Sequence, residues 1–245
     1  MSNETVPKSV LRGIEAVRAG QLVLIYDAED REGETDFVLP AATITPREVA
    51  YFRNEAGGLI CVAIHSLAAE RLGLPLMSDI LRNVNNTYPF LGTIVEGAGD
   101  LHYDKRSSFS LWVNHRDTFT GITDHDRALT IRKIDEAVTS VLNGTDNAYN
   151  FSKEFRSPGH VSLLRAAEGL LDERQGQTEL SVALALLAGI SPAMVICEML
   201  DDASGRALSK DNAQAFASER RMIFMEGAEI VQAYRQLCRG YTCSE

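Results

Sequence analysis

The segment Asp27-Ala28-Glu29-Asp30-Arg31-Glu32-Gly33-Glu34-Thr35-Asp36 follows directly on the apolar run Leu22-Val23-Leu24-Ile25-Tyr26. The run reads as a buried strand, so the six carboxylates stand at a strand end, where ligand sites of α/β sheets gather. Like charges this close repel one another, and a metal, a cationic ligand or solvent must balance them. A hard cation bound through oxygen fits such a loop. By spacing alone, a solvated acidic turn fits it as well.

The rest of the chain alternates helical and strand patterns. Val10, Leu11, Ile14 and Val17 recur at helical spacing before Gly20 and predict an amphipathic helix. Phe37-Val-Leu-Pro reads as a strand returning from the acidic loop. Thr45-Pro46-Arg47-Glu48 is a capping box with proline at the first helical position, opening a helix through about Asn54. Gly57-Gly58 leads into a strand from Leu59 to Ile64, and Ser108 to Val113 alternates like a half-buried strand. Met77 to Tyr103 has no clear period and reads as irregular, a candidate lid. Asp124 is placed as the cap of a helix through roughly Val141, followed by a loop at Asn143-Gly-Thr-Asp-Asn. A buried helix is predicted from near Thr178 to Gly189, then a strand from Ala193 to Cys197. Two helices with a short strand between them close the chain. This order predicts an α/β fold, a layered α-β-α domain with a mixed twisted sheet. No linker, repeat or low-complexity tract divides the 245 residues, so a single domain over 1–245 is expected.

A net charge of −10 argues against a nucleic-acid or anionic-membrane surface. No apolar run approaches the ~20 residues that span a bilayer. The polar start Met1-Ser-Asn-Glu-Thr lacks a signal-peptide core, and the expected location is cytoplasmic. Cys61 and Cys197 fall in apolar strand-like runs, where buried reduced thiols are expected. Cys238 and Cys243 lie near the C-terminus, and no Cys/His spacing suits a structural zinc.

Four further places can carry chemistry. His160, after the Pro158-Gly159 turn, is read as a loop histidine, either a proton-transfer group or merely exposed. Arg174-Gln-Gly-Gln-Thr178 combines an arginine, a glycine, a hydroxyl and a helix N-terminus. It is a phosphate cradle or an ordinary cap. Thr120-Gly-Ile-Thr-Asp-His-Asp-Arg127 is a second loop-to-helix junction, or simply a well-capped turn. Glu198 ends an apolar strand as a general base or a salt-bridged strand end. His65, His102, His115 and His125 carry weaker signals and read as structural or exposed.

Taken in order, the acidic segment, Gly57-Gly-Leu-Ile-Cys61, Thr120-Gly-Ile-Thr-Asp-His-Asp-Arg127, Phe155-Arg-Ser-Pro-Gly-His-Val161, Leu163-Leu-Arg-Ala-Ala-Glu-Gly169 and Ile196-Cys-Glu-Met199 resemble the 3,4-dihydroxy-2-butanone 4-phosphate synthase family. The resemblance runs from about Val10 to Tyr234 and is to the archaeal form. It implies a riboflavin-pathway lyase that converts D-ribulose 5-phosphate to a four-carbon ketone phosphate and formate with magnesium or manganese. It also implies a homodimer with composite sites. Residue by residue, Arg31 would meet substrate and Asp36 a substrate hydroxyl, while Glu32 would bind the metal and His160 and Glu198 would move protons. Arg174, Gly176 and Thr178 would bind phosphate, and Thr120 lies in the matching hydroxyl turn.

The match breaks at Gln177, where the family has its second metal-ligand histidine. A glutamine carbonyl is an oxygen donor that magnesium accepts, but it is neutral and weakly basic. Three readings follow from this: a synthase with weakened metal binding, natural or engineered; a divergent paralogue or variant that dehydrates the pentulose phosphate without releasing formate; and a member that only binds it. Retention of Glu32, His160 and Glu198 argues against the last.

Overall fold

The structure is a computed structural model that describes residues 5–144 and 149–238. The expected loop at Thr145, Asp146 and Asn147, the polar residues 1–4 and Cys243 lie outside the described residues.

In chain order the elements are α1 (Lys8–Arg18), β1 (Val23–Tyr26), β2 (Thr35–Pro40), α2 (Pro46–Tyr51), β3 (Cys61–Ile64), α3 (Ser66–Arg71), α4 (Met77–Asn83), α5 (Pro89–Ile94), β4 (Phe109–His115), α6 (Asp124–Leu142), α7 (Phe151–Glu154) and β5 (Phe155–Arg165). There follow α8 (Gln177–Ala188), β6 (Ala193–Glu198), β7 (Leu200–Asp201), β8 (Arg206–Ala207), α9 (Lys210–Arg220), β9 (Ile223–Glu226) and α10 (Gly227–Cys238). Seven strands form one mixed sheet in the order β4-β5-β3-β6-β2-β1-β9, with β1–β9 and β3–β5 parallel and the other pairs antiparallel.

Both faces of the sheet are covered because the central strands are apolar on both. Leu24, Phe37, Leu39, Val62 and Ile64 point to a core closed by α2, α3, α6 and α9. Their alternating neighbours Val23, Ile25, Val38, Cys61 and Ala63 meet α1, α8 and α10 on the other side. The layered α-β-α architecture is the predicted one. Helix α8 is apolar nearly all round, as a helix wedged between sheet and neighbours must be, and α1 buries Val10, Ile14 and Val17 while leaving Leu11 exposed. Cys61 and Cys197 are buried free thiols, as expected. No helix among the described residues is long and apolar enough to cross a membrane.

Several local expectations shift. The Thr45 capping box forms, with Thr45 accepting from the Arg47 amide and Glu48 from the Thr45 amide, and the helix continues as a π-turn to Ala56. The third strand starts at Cys61 rather than Leu59, because the Leu59 amide is taken by a side chain, that of Glu198. Thr123, not Asp124, caps α6: its hydroxyl accepts from the Asp126 amide, and Asp124 occupies the first turn. The segment Met77 to Tyr103 is not irregular throughout but holds α4 and α5. Polar ties such as Arg82 to Glu96 O and Arg106 to Asp79 organise it, and these leave no apolar period to read.

Candidate active site

Asp27, the first acid of the decapeptide, folds the loop. It is 3 % exposed, and its carboxylate accepts from the amides of Glu34 (2.9 Å) and Glu32 (3.0 Å) and from Arg31 (3.1 Å). Glu29 and Asp30 stand exposed at the loop tip. Glu32, Glu34 and Asp36 are left to form the acidic face.

Asp36 lies on β2 directly opposite Glu198 on β6. Glu198 is seated by the turn before β3: its Oε2 accepts from the Leu59 amide (2.8 Å) and its carbonyl from the Gly58 amide (3.1 Å). Gly58 is required there, since a methyl group would overlap both the Glu198 carboxylate and its carbonyl. Asp36 is buried with Oδ1 lacking any partner, and burial, then Glu198, Glu32 and Glu34, push its pKa well above the ordinary aspartate range. Burial and the neighbouring Glu32 and Glu198 likewise push Glu34 up to about 7.

Gln177, the first residue of α8, lies 6 % exposed beside these acids. Its Nε2 donates to two main-chain carbonyls, Ile25 O (3.0 Å) and Glu34 O (3.1 Å). With the NH₂ end so committed, the amide cannot turn over, and Oε1 remains a buried acceptor without a donor. Glu32, Asp36, Gln177, Thr178, Arg174 and Glu198 all line one cavity of about 290 Å³. Among the described residues no three His, Cys, Asp or Glu side chains converge closely enough to hold a metal unaided. The unpaired oxygens of Gln177 and Asp36 beside the Glu32 carboxylate do fit a hard cation that keeps most of its ligands as water.

The cation on the wall of this cavity is Arg174, joined to Arg31 through Asp104. Arg174 Nε donates to Asp104 Oδ2 (2.6 Å) and its NH1 to the fully buried Glu179 (2.5 Å). Arg31 donates to the same Asp104 oxygen, to Glu32 (2.7 Å) and to Asp27. Burial opposes the Arg31 charge, but Glu32 and Asp104 outweigh it and hold the guanidinium above its ordinary pKa. Gly176 lets the two arginines close together, because a side chain there would strike both guanidinium groups. Gly176 is also the N-cap of α8 and contributes no side-chain cap, which leaves the Gln177 and Thr178 amides for an anion, while the Glu179 carboxylate takes its own amide. The helix thus begins at Gln177, with Thr178 in its first turn, buried and facing the cavity.

Two predicted site residues do not join this group. His160 and Thr120 lie away from the cavity at the β4–β5 edge and are exposed. His160 belongs to β5 rather than to a loop. The register passes from Val113–Val161 to Asn114–Arg156, so the ladder skips residues 157–160 and the histidine is pushed outward. Buried Asn114 holds it: Asn114 Oδ1 accepts from the His160 amide (2.8 Å), and Nδ2 lies 3.1 Å from His160 Nδ1 and 3.4 Å from Thr120 O. His115 is buried and structural, bonded to Glu154.

Sequence reasoning missed Asp104, Glu179, Asn114 and the separate tasks of Asp27 and Glu34. Only Gly57-Gly58, just ahead of an apolar run, hinted at the close approach that seats Glu198.

Residues 12–233 match the family model described as 3,4-dihydroxy-2-butanone 4-phosphate synthase. The chain is similar to proteins of that name from Methanosarcina acetivorans (56 % identity over 96 % of this chain and 94 % of the relative) and Archaeoglobus fulgidus (58 % over 91 % and 92 %). Among solved structures it resembles a 3,4-dihydroxy-2-butanone 4-phosphate synthase in complex with two magnesium ions (TM-score 0.73, 27 % identity, 93 % of this chain and 97 % of the other).

Proposed function

The chain belongs to the 3,4-dihydroxy-2-butanone 4-phosphate synthase family, and from that premise we propose that it is a magnesium-dependent lyase converting D-ribulose 5-phosphate to 3,4-dihydroxy-2-butanone 4-phosphate and formate. The observation that carries the reading is the make-up of one cavity: the unpaired oxygens of Asp36 and Gln177 suit a cation and a diol, and Arg174, joined to Arg31 through Asp104, suits a phosphate.

When bound, magnesium or manganese would supply a Lewis acid for the charge that develops on adjacent substrate oxygens. Glu32 and Gln177 Oε1 would hold it, with water as the remaining ligands, and a relative crystallised with two magnesium ions supports the class of metal. Arg174, Arg31, Thr178 and the open amides after Gly176 bind the phosphate. Asp36 meets a substrate hydroxyl. Glu198, fixed by the Leu59 amide, takes the C3 proton. Loss of the C1 hydroxyl as water then leaves a methyl ketone. A skeletal shift and rehydration release C4 as formate, so five carbons leave as four plus one.

His160 moves the second proton from a neighbouring copy of the chain. The support is the bare apolar surface beside both half-sites: Phe119 and Ile122 flank Thr120, and Leu59 adjoins Glu198. A homodimer that covers them would join His160 and Thr120 of one copy to the cavity of the other.

A second reading, dehydration or binding of the sugar phosphate without formate release, draws on Gln177, whose neutral amide replaces a basic ligand. Carbon-13 NMR of labelled D-ribulose 5-phosphate with magnesium separates the two. Formate together with a new methyl signal supports the synthase, and a methyl signal alone supports the dehydratase. Neither signal, from the wild type or from Gln177→His, overturns the catalytic reading.

A further inference from the structure

We infer that the Asp104 carboxylate occupies the seat of the substrate phosphate as a tethered competitor, and thereby sets which anions the cradle accepts; this rests on the phosphate site proposed above. Asp104 comes from the segment between α5 and β4, some seventy positions from either arginine in sequence. One oxygen, Oδ2, receives both Arg31 and Arg174, the position that a phosphate oxygen shared by the two guanidinium groups would take. The side chains concerned are largely buried, at 9 % exposure for Arg31 and 13 % for Arg174 and Asp104. Solvent therefore screens this contact little.

The charge count shows why it must open. Arg31 and Arg174 are two cations set among Asp27, Glu32, Asp104 and Glu179, four carboxylates. With Asp104 in place the carboxylates exceed the arginines by two, and withdrawing it lowers that excess to one, so an entering phosphate dianion meets less repulsion. With Asp104 withdrawn, Arg31 NH2 and Arg174 Nε are released together, beside the open amides of α8. Asp27 and Glu179 cannot play this part. Asp27 is bound to two loop amides, and Glu179 is fully buried on α8 and holds the Ala167 amide as well.

A tethered carboxylate competes at a high effective concentration. A small free anion offers only its own contacts and loses to it. A sugar phosphate adds hydroxyl contacts at the Glu32–Asp36 end of the same cavity and can displace it. Asp104 thus makes the site selective for ligands that engage both ends, and keeps inorganic phosphate out.

Calorimetric titration of inorganic phosphate and, separately, of D-ribulose 5-phosphate into wild-type protein, Asp104→Asn and Asp104→Ser tests this. Removing a charge-assisted contact of this kind should tighten inorganic phosphate by at least about tenfold in both variants. The preference for the sugar phosphate over inorganic phosphate should be smaller in both variants than in the wild type, and Arg174→Gln in the Asp104→Asn background should abolish the tighter phosphate binding. If the sugar phosphate binds all three proteins but inorganic phosphate binds none of them more tightly than the wild type, Asp104 is not a competitor and the phosphate site stands without it. If neither ligand binds any of the proteins, the phosphate site itself is wrong, and this inference falls with it.

Discussion

Asp36 and Glu198 are cross-strand partners on β2 and β6, two acids set side by side on one face of the sheet with the Asp36 Oδ1 unpaired. Like charges directly opposite one another destabilise a sheet. Asp36→Asn should therefore raise the melting temperature while lowering turnover of ribulose 5-phosphate at least about tenfold, the worth of a charged hydrogen bond to substrate. Thermal melts beside formate assays check it. A lower melting temperature with turnover intact would refute both halves.

Gln177 ties α8 to the acidic loop through Ile25 O and Glu34 O. Gln177→Ala gives up two hydrogen bonds and should cost about 1–3 kcal/mol of unfolding free energy. Gln177→His adds an imidazole to an oxygen site, so it should tighten nickel binding by about tenfold or more and magnesium by far less. Denaturant titration and calorimetry with the two metals measure these effects. No gain for either metal would show that residue 177 does not face the metal.

Composite sites predict complementation. His160→Asn and Glu198→Gln proteins, each inactive, should on mixing and subunit exchange regain about a quarter of wild-type activity, the statistical share of intact sites in a two-fold dimer. Formate release in the mixture reads it out, and continued inactivity after confirmed exchange would place both residues in one chain's site.

Asp135 on α6 provides a pH test remote from the chemistry. It is buried, its Oδ1 has no partner, and burial, then Glu136, raise its pKa against the opposing hydrogen bond from Ser191. For a raised carboxyl, the stabilising contribution is complete below the ordinary aspartate range and is lost as pH rises through the raised value. The gap by which Asp135→Asn melts above the wild type should therefore be smallest at the acid end, near the ordinary aspartate range, and widen as pH rises to 8, each kcal/mol appearing as about 2–4 °C. Melting curves with a constant gap across this range would show that Asp135 does not titrate there.

The parts legible beforehand are those governed by local rules. Val10, Ile14 and Val17, the Thr45 capping box and the strand at Val23–Tyr26 each carry their signal within a few residues. Helices α4 and α5 escaped because polar ties between segments, such as Arg82 on α4 to the Glu96 carbonyl after α5, organise them. The acidic loop was visible, but its division of labour was not: carboxylates look alike in sequence, and only the fold turns Asp27 inward, Glu29 and Asp30 outward and Asp36 toward Glu198. Asp104 had no signal because its partners are brought to it by tertiary structure alone.

The inward turn of Asp27 divides the decapeptide into positions of unequal tolerance. The first acid serves as internal scaffolding, and losing it would leave two loop amides without acceptors and take one of three carboxylate partners from Arg31. The exposed tip acids carry less: Glu29 meets the Tyr26 hydroxyl and no loop amide, and Asp30 has no such duty. Random substitution across these ten positions should therefore produce an uneven map, intolerant at Asp27 and permissive two and three residues later, although all three positions began as the same kind of charge.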